Sequence, residues 1–152
     1  MSYSMQLTLQ HAKIDAHISV MREPLHCKSE SLLNDAERLL ELKNYSRRIG
    51  QMLDEYVHEQ QCSLLLKATR ILGDSLEEVC AIHEQNAKLI AQHRHFDALL
   101  NDANLTLDRQ WLAEVRAQFD RLCACFERQS AAEREFYAQY STIIFPAGAA
   151  TD

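Results

Sequence analysis

A chain of 152 residues with 47% hydrophobic and 25% charged content is long enough to bury one substantial core and is globular in character. Its formal net charge of −6 speaks against a phosphate-backbone binder, because such affinity rests on Lys and Arg neutralising phosphates, and no basic run exceeds Arg47-Arg48. Three glycines and two prolines, set among abundant Leu, Ala, Glu, Gln and Arg, point to an all-α fold.

The first predicted helix runs from about Met5 to Arg22, with Leu7, His11, Ile14, Ile18 and Met21 on its inner face. Pro24 is expected to stop it, since the ring disfavours helical geometry at Glu23. Ser29 or Ser31 can cap a following segment that carries Leu32, Leu33, Ala36, Leu39 and Leu40 at helical spacing, and Asn44-Tyr45-Ser46 reads as a break. From about Tyr45 to Leu72 a second main helix presents Ile49, Met52, Leu53, Tyr56, Leu64, Ala68 and Ile71, with Gln60 among them and Gly73 as a natural residue just past its end. This long region lacks sustained a/d regularity of the coiled-coil kind.

Ser75-Leu76-Glu77-Glu78 reads as a capping box that opens a third helix, about Leu76 to Leu100, with Val79, Ile82, His83, Asn86, Leu89, Ile90, His93 and Phe96 on its apolar side. Asn101 to Asn104 is loop chemistry, and Asp108 can cap the last helix, about Arg109 to Ile144. The expected architecture is an antiparallel four-helix bundle over residues 1–145, with Ser29 to Lys43 either a helical extension or an extra short helix between helices one and two. Residues 146–152 read as a flexible tail.

One residue breaks the pattern. On the last helix Val115, Phe119, Leu122, Phe126, Phe136, Tyr137, Tyr140 and Ile144 share a face, and Glu133 sits near its centre with Gln129 one turn earlier. A buried carboxylate requires a partner. The inner faces of the other helices supply candidates in His11, Gln60 and His83. A Glu with two imidazoles could hold iron or zinc and leave positions open for water or a gas. A metal-free polar layer, in which Glu133 accepts from an imidazole and the pair titrates together, is the plainer arrangement.

The order of LQHAKIDAHI, YVHEQQCSLL, IHEQNAKLI and QSAAEREFY resembles that of hemerythrin-like (HHE) domains over nearly the whole chain. The resemblance implies a helical bundle whose metal ligands would come from His11, His58, His83, Gln129 and Glu133, and a role as a sensor or binder of iron, oxygen or nitric oxide. The ligand set departs from the family's: Gln129 stands where the last-helix H-x-x-x-E motif begins, Cys62 follows His58 where a carboxylate belongs, and Ala87 replaces a helix-three histidine. An intact di-iron centre is not expected, and a single-metal site at His11, His83 and Glu133 is what the resemblance leaves.

Other residues have plain explanations. His93 and His95 flank Arg94 at a spacing that sends them to different sides of a helix, so His93 reads as structural. His17 and His26 read as exposed, and Trp111 as a cover for one end of the helices. The five cysteines lack a paired zinc spacing and read as reduced thiols. No nucleophile elbow, glycine-rich phosphate loop or Walker sequence is present, so a non-enzymatic role is expected. No stretch approaches ~18 uninterrupted apolar residues and no signal peptide opens the chain, which leads to the expectation of a cytoplasmic protein without membrane or nucleic-acid partners. The alternative to the metal sensor is a metal-free regulatory or adaptor module. It would use an apolar groove for a protein partner or a homodimer contact, with the leucines from Leu32 to Leu42 as its motive.

Overall fold

The structure, a computed structural model, describes residues 3–26, 31–73, 76–102 and 106–146. Those residues are helical, with no strand among them: α1 (Tyr3–His26), a 3₁₀ turn (Ser31–Leu33), α2 (Ala36–Gln60), a π-helical turn (Gln61–Leu65), α3 (Leu66–Leu72), α4 (Glu77–Asn101) and α5 (Arg109–Ile144). Because α2, the π-turn and α3 follow without a gap, they form one rod. No described helix is long and apolar enough to cross a membrane.

Burial follows one rule on every long helix. On α2 the buried positions are Leu39, Leu42, Ser46, Ile49, Leu53, Tyr56 and Gln60, so spacings of three and four alternate. The same alternation runs along α4 through Val79, Ile82, Asn86, Leu89, His93, Phe96 and Leu100. It recurs on α5 from Leu112 through Val115, Phe119, Leu122, Phe126, Gln129, Glu133 and Phe136. On α1 it joins Leu7, Ile14, Ile18, Met21 and Leu25 through the half-buried His11. A repeat of 3.5 residues is the seam along which helices interdigitate at small crossing angles. Within α2 the 3.5-residue spacing holds from Leu39 to Gln60, and in the longer region from Tyr45 to Leu72 it is interrupted at Gln61–Leu65. Its start is hidden in the sequence because the polar Ser46 occupies a core position.

At the π-turn the amide of Leu66 bonds to the carbonyl of Gln61 instead of Cys62, and the wider turn absorbs one extra residue. Consecutive Leu64 and Leu65 are then both fully buried, and the inward stripe resumes at Ala68. Gly73 ends the rod with φ of 94°, a conformation that penalises any residue with a Cβ.

Three boundaries differ from expectation, the first two for a tertiary reason and the third for a local one. Pro24 lies inside α1, because Met21 and Leu25, both 0% exposed, hold the last turn in the core while Arg116 donates to the Leu25 carbonyl. Asn44-Tyr45-Ser46 does not interrupt α2, because Ser46 spends its hydroxyl on Asp97 of α4 at 2.7 Å rather than on its own backbone. The cap of α2 is Asp35, which accepts from the amides of Glu37 and Arg38 at 3.1 and 3.2 Å. Ser29 and Ser75 lie outside the described residues, and α4 opens after Leu76 with Glu77 and Glu78 in its first turn, where acids complement the helix dipole. Asp108 caps α5 as expected, accepting from the Trp111 amide at 2.8 Å.

The leucines of Leu32 to Leu42 serve the interior. Leu32, Leu39 and Leu42 are buried and Leu33 is half-buried, so only Leu40 stands out, at 59% exposure. They do not form the apolar groove that an adaptor would need. Trp111 is buried and donates to the Leu99 carbonyl at 3.2 Å, closing one end as anticipated.

Candidate functional site

Two groups of polar side chains interrupt the apolar seams. The first is closed: His93 of α4 donates from Nε2 to the Ser46 carbonyl at 2.7 Å, and Ser46 Oγ donates to Asp97 Oδ1. A serine, a histidine and an aspartate meet here, yet the hydroxyl is committed to the carboxylate and the imidazole proton to a carbonyl, so no nucleophile is activated. Gly50 makes room for this ring. A Cβ at that position would lie 2.5 Å from His93 Cε1. The glycine costs ~1 kcal/mol of helix propensity and lets the imidazole approach the α2 backbone closely.

The second group surrounds Glu133. The carboxylate is 7% exposed and accepts hydrogen bonds at Oε2 from Tyr56 Oη of α2 and, at 3.4 Å, from Gln129 Nε2. Beside them Asn86 Nδ2 of α4 donates to Gln60 Oε1 at 2.6 Å. Gln60, Asn86 and Gln129 each keep one buried polar atom without a hydrogen-bond partner: Nε2, Oδ1 and Oε1 respectively. Such atoms cost free energy in an apolar core, on the order of 1–3 kcal/mol each, so this belt is less fully satisfied than the first.

The belt reaches the surface through a cavity of about 460 Å³ between α1 and α5. Leu7, Phe126 and Tyr137 give it apolar walls, Tyr56, Ser130 and Glu133 lie at its polar inner side, and His11, Asp15, Glu127 and Arg134 are among the other lining residues. It opens here because α1 rests on α5 much more sparsely than α4 does. His11 is half-buried, its ring stacked on Phe126 with centroids 4.5 Å apart. Its Nε2 lies 2.5 Å from Ser130 Oγ, and that hydroxyl already donates to the Phe126 carbonyl at 2.8 Å. The imidazole must then be the Nε2–H donor, which leaves Nδ1 as an acceptor. Burial holds His11 below its ordinary pKa, with Asp15 opposing the shift and Arg134 adding to it.

Of the residues singled out in the sequence, the structure brings His11, Glu133 and Gln129 to this region and leaves two others outside it. His83 and His58 are exposed. The inward expectation for His83 is corrected: the seam on α4 passes through Ile82 and Asn86, and a residue one step after Ile82 is turned ~100° away from it. His58 faces solvent beside Cys62, with Nε2 and Sγ 3.7 Å apart. Among the described residues no group of three or more His, Cys, Asp or Glu side chains is placed to hold a metal ion. The carboxylate that a metal would need is engaged by a tyrosine and an amide. The residues present therefore do not fit a hemerythrin-like metal centre.

His93, expected to be structural, is buried in that role. His26 is exposed and pairs with Asp120 at 2.8 Å, whereas His17 is half-buried and bonds the Lys13 carbonyl at 2.9 Å. Cys62, Cys80, Cys123 and Cys125 are free thiols, and Cys27 lies outside the described residues. Burial pushes the Cys123 thiol up, although Arg22 opposes it, so it is a poor nucleophile.

Sequence reasoning passed over Ser130, Asp15 and Arg134, since small or charged residues at a helix edge carry no periodic signal. Ser130 could have been suspected as the residue next to Gln129 on a face otherwise aromatic. Compared with models of known families, with curated proteins and with solved structures, the chain matches none.

Proposed function

We propose that the chain is a non-catalytic, antiparallel four-helix bundle that binds a small organic molecule in the cavity between α1 and α5 and reports its presence through the docking of α1. The antiparallel arrangement is supported by contacts whose numbering rises on one helix as it falls on the next. Ser46 meets His93 while Gln60 meets Asn86; Gln92 meets Gln118 while Glu78 meets Tyr140; and His11 meets Ser130 while His26 meets Asp120.

The observation that carries the functional reading is the cavity itself. Its volume of about 460 Å³ falls in the range of small-molecule sites, and it joins apolar walls to a few converging polar groups. Ligand atoms there would bridge α1 to α5, two helices that touch sparsely, which is how occupancy becomes a change in helix docking. A sensor or regulatory role follows from that coupling. A metal has no part in this reading, because His83 and His58 stand apart from Glu133. A cytoplasmic location belongs to the same proposal, in keeping with the free thiols.

The test is saturable binding of the neutral fluorophore Nile red, compared between the wild type and Ala138→Trp. Ala138 is an exposed residue of the cavity lining, so the indole can fill the opening without entering the core. One binding event per chain, lost in the variant, is the expected result. Equal binding by both proteins, or none by either, would remove the cavity from the account.

A further inference from the structure

We infer that the ligand of this cavity is an organic cation, an ammonium group carried on an apolar or aromatic body; the inference rests on the reading of the cavity as a binding site. Charge is the first argument. Asp15, Glu127 and Glu133 line the cavity against a single guanidinium, Arg134. His11 does not redress the balance at neutral pH, because burial favours its uncharged form.

Placement is the second argument. Asp15, Glu127 and Arg134 are exposed at the mouth, where solvent screens them, whereas Glu133 is 7% exposed at the inner side. Among the described lining residues the deeply placed ionisable group is thus an acid, held in position by Tyr56 and Gln129. A carboxylate held in advance in a poorly hydrated site attracts a cation far more strongly than one on a free surface.

The walls are the third argument. Tyr137 and Tyr56 offer aromatic surface next to the acid, beside Phe126 with its ring stacked on His11, and aromatic rings attract ammonium groups while also burying an apolar body. His11 Nδ1, left as an acceptor by the Ser130 contact, provides a further point for an ammonium N–H. A carboxylate ligand would instead be set against Glu133, since the guanidinium among the described lining residues, Arg134, is exposed.

Calorimetric titration with three matched probes, phenethylammonium, phenethyl alcohol and hydrocinnamate, tests the inference. The expected result is that the ammonium binds about tenfold or more tightly than the alcohol and that the carboxylate is weakest, the contrast shrinking in high salt. In Glu133→Gln the ratio of the ammonium's affinity to the alcohol's should fall toward one. Should that variant fail to fold, Asp15→Asn at the mouth is expected to reduce the same ratio by a smaller factor. Equal binding of all three probes, or preference for hydrocinnamate, would overturn the cation while leaving the cavity a binding site. Absence of binding by every probe, together with unaltered Nile red binding in Ala138→Trp, would overturn both.

Discussion

The two polar groups in the interior are built from similar residues and behave differently. Around His93 every buried side-chain polar atom has a partner, the ring is clamped against Gly50, and the nearest carboxylate, Asp97, is served by a serine on the facing helix. Around Glu133 the acid is held by Tyr56 and Gln129, yet Gln60, Asn86 and Gln129 keep unpartnered atoms and a cavity opens alongside. A polar set that closes on itself fixes helix register, whereas one left incomplete beside an opening is available to something else. The lesson is that a buried polar residue reveals little by its type; its importance lies in whether its neighbours exhaust its hydrogen bonds.

Breaking the closed group should have the largest effect. Gly50→Val drives a branched side chain into the His93 ring and is expected to cost about 3 kcal/mol, read from the shift in urea midpoint at unchanged slope. Gly50→Ala should cost less in the wild type and become neutral or stabilising when combined with His93→Ala, since the alanine then contributes only its better helix propensity. Additive effects in that double-mutant cycle would mean that the glycine and the ring do not constrain each other.

Removing the hydroxyl of Tyr56 tests the open group next. Tyr56→Phe leaves a buried carboxylate short of one donor and is expected to cost about 2 kcal/mol, measured by chemical denaturation. A change below about 0.5 kcal/mol would show that the tyrosine does not hold the acid in place. Gln129→Met should be smaller again, within about 1 kcal/mol of the wild type in either direction, because it removes an unpartnered carbonyl along with a weak contact to Glu133.

The smallest expected effect concerns pH. His11 has a folded-state pKa below its ordinary value of 6.5, so the unfolded chain binds the proton more readily. Its favourable contribution to folding is complete above that value and declines as the pH falls through it, because protonation then favours the unfolded state. The stability of wild type minus that of His11→Gln should therefore diminish from neutral pH toward pH of about 5. A difference that grows on acidification would reverse the assignment of burial as the dominant cause.

Much of the secondary structure could be read from sequence, because apolar residues recur at helical spacing, Asp108 signals the start of α5 and Gly73 the end of α3. Glu133 was also legible, since a carboxylate inside an aromatic stripe is conspicuous without coordinates. Its partner was not. An angular count at the ideal helix period admits His83 as readily as Ile82, and only the actual 3.5-residue seam decides which of two neighbours faces the core.

The all-α character and the buried acid were thus determined by the sequence itself, through local propensity and hydrophobic period, which are properties of short segments. That the hydroxyl of Tyr56 reaches the acid from α2, that α1 continues through Pro24, and that a cavity opens between α1 and α5 were decided by tertiary packing. Each depends on the relative rotation and separation of helices distant in the chain, and those are fixed by the summed contacts of whole seams rather than by any one segment.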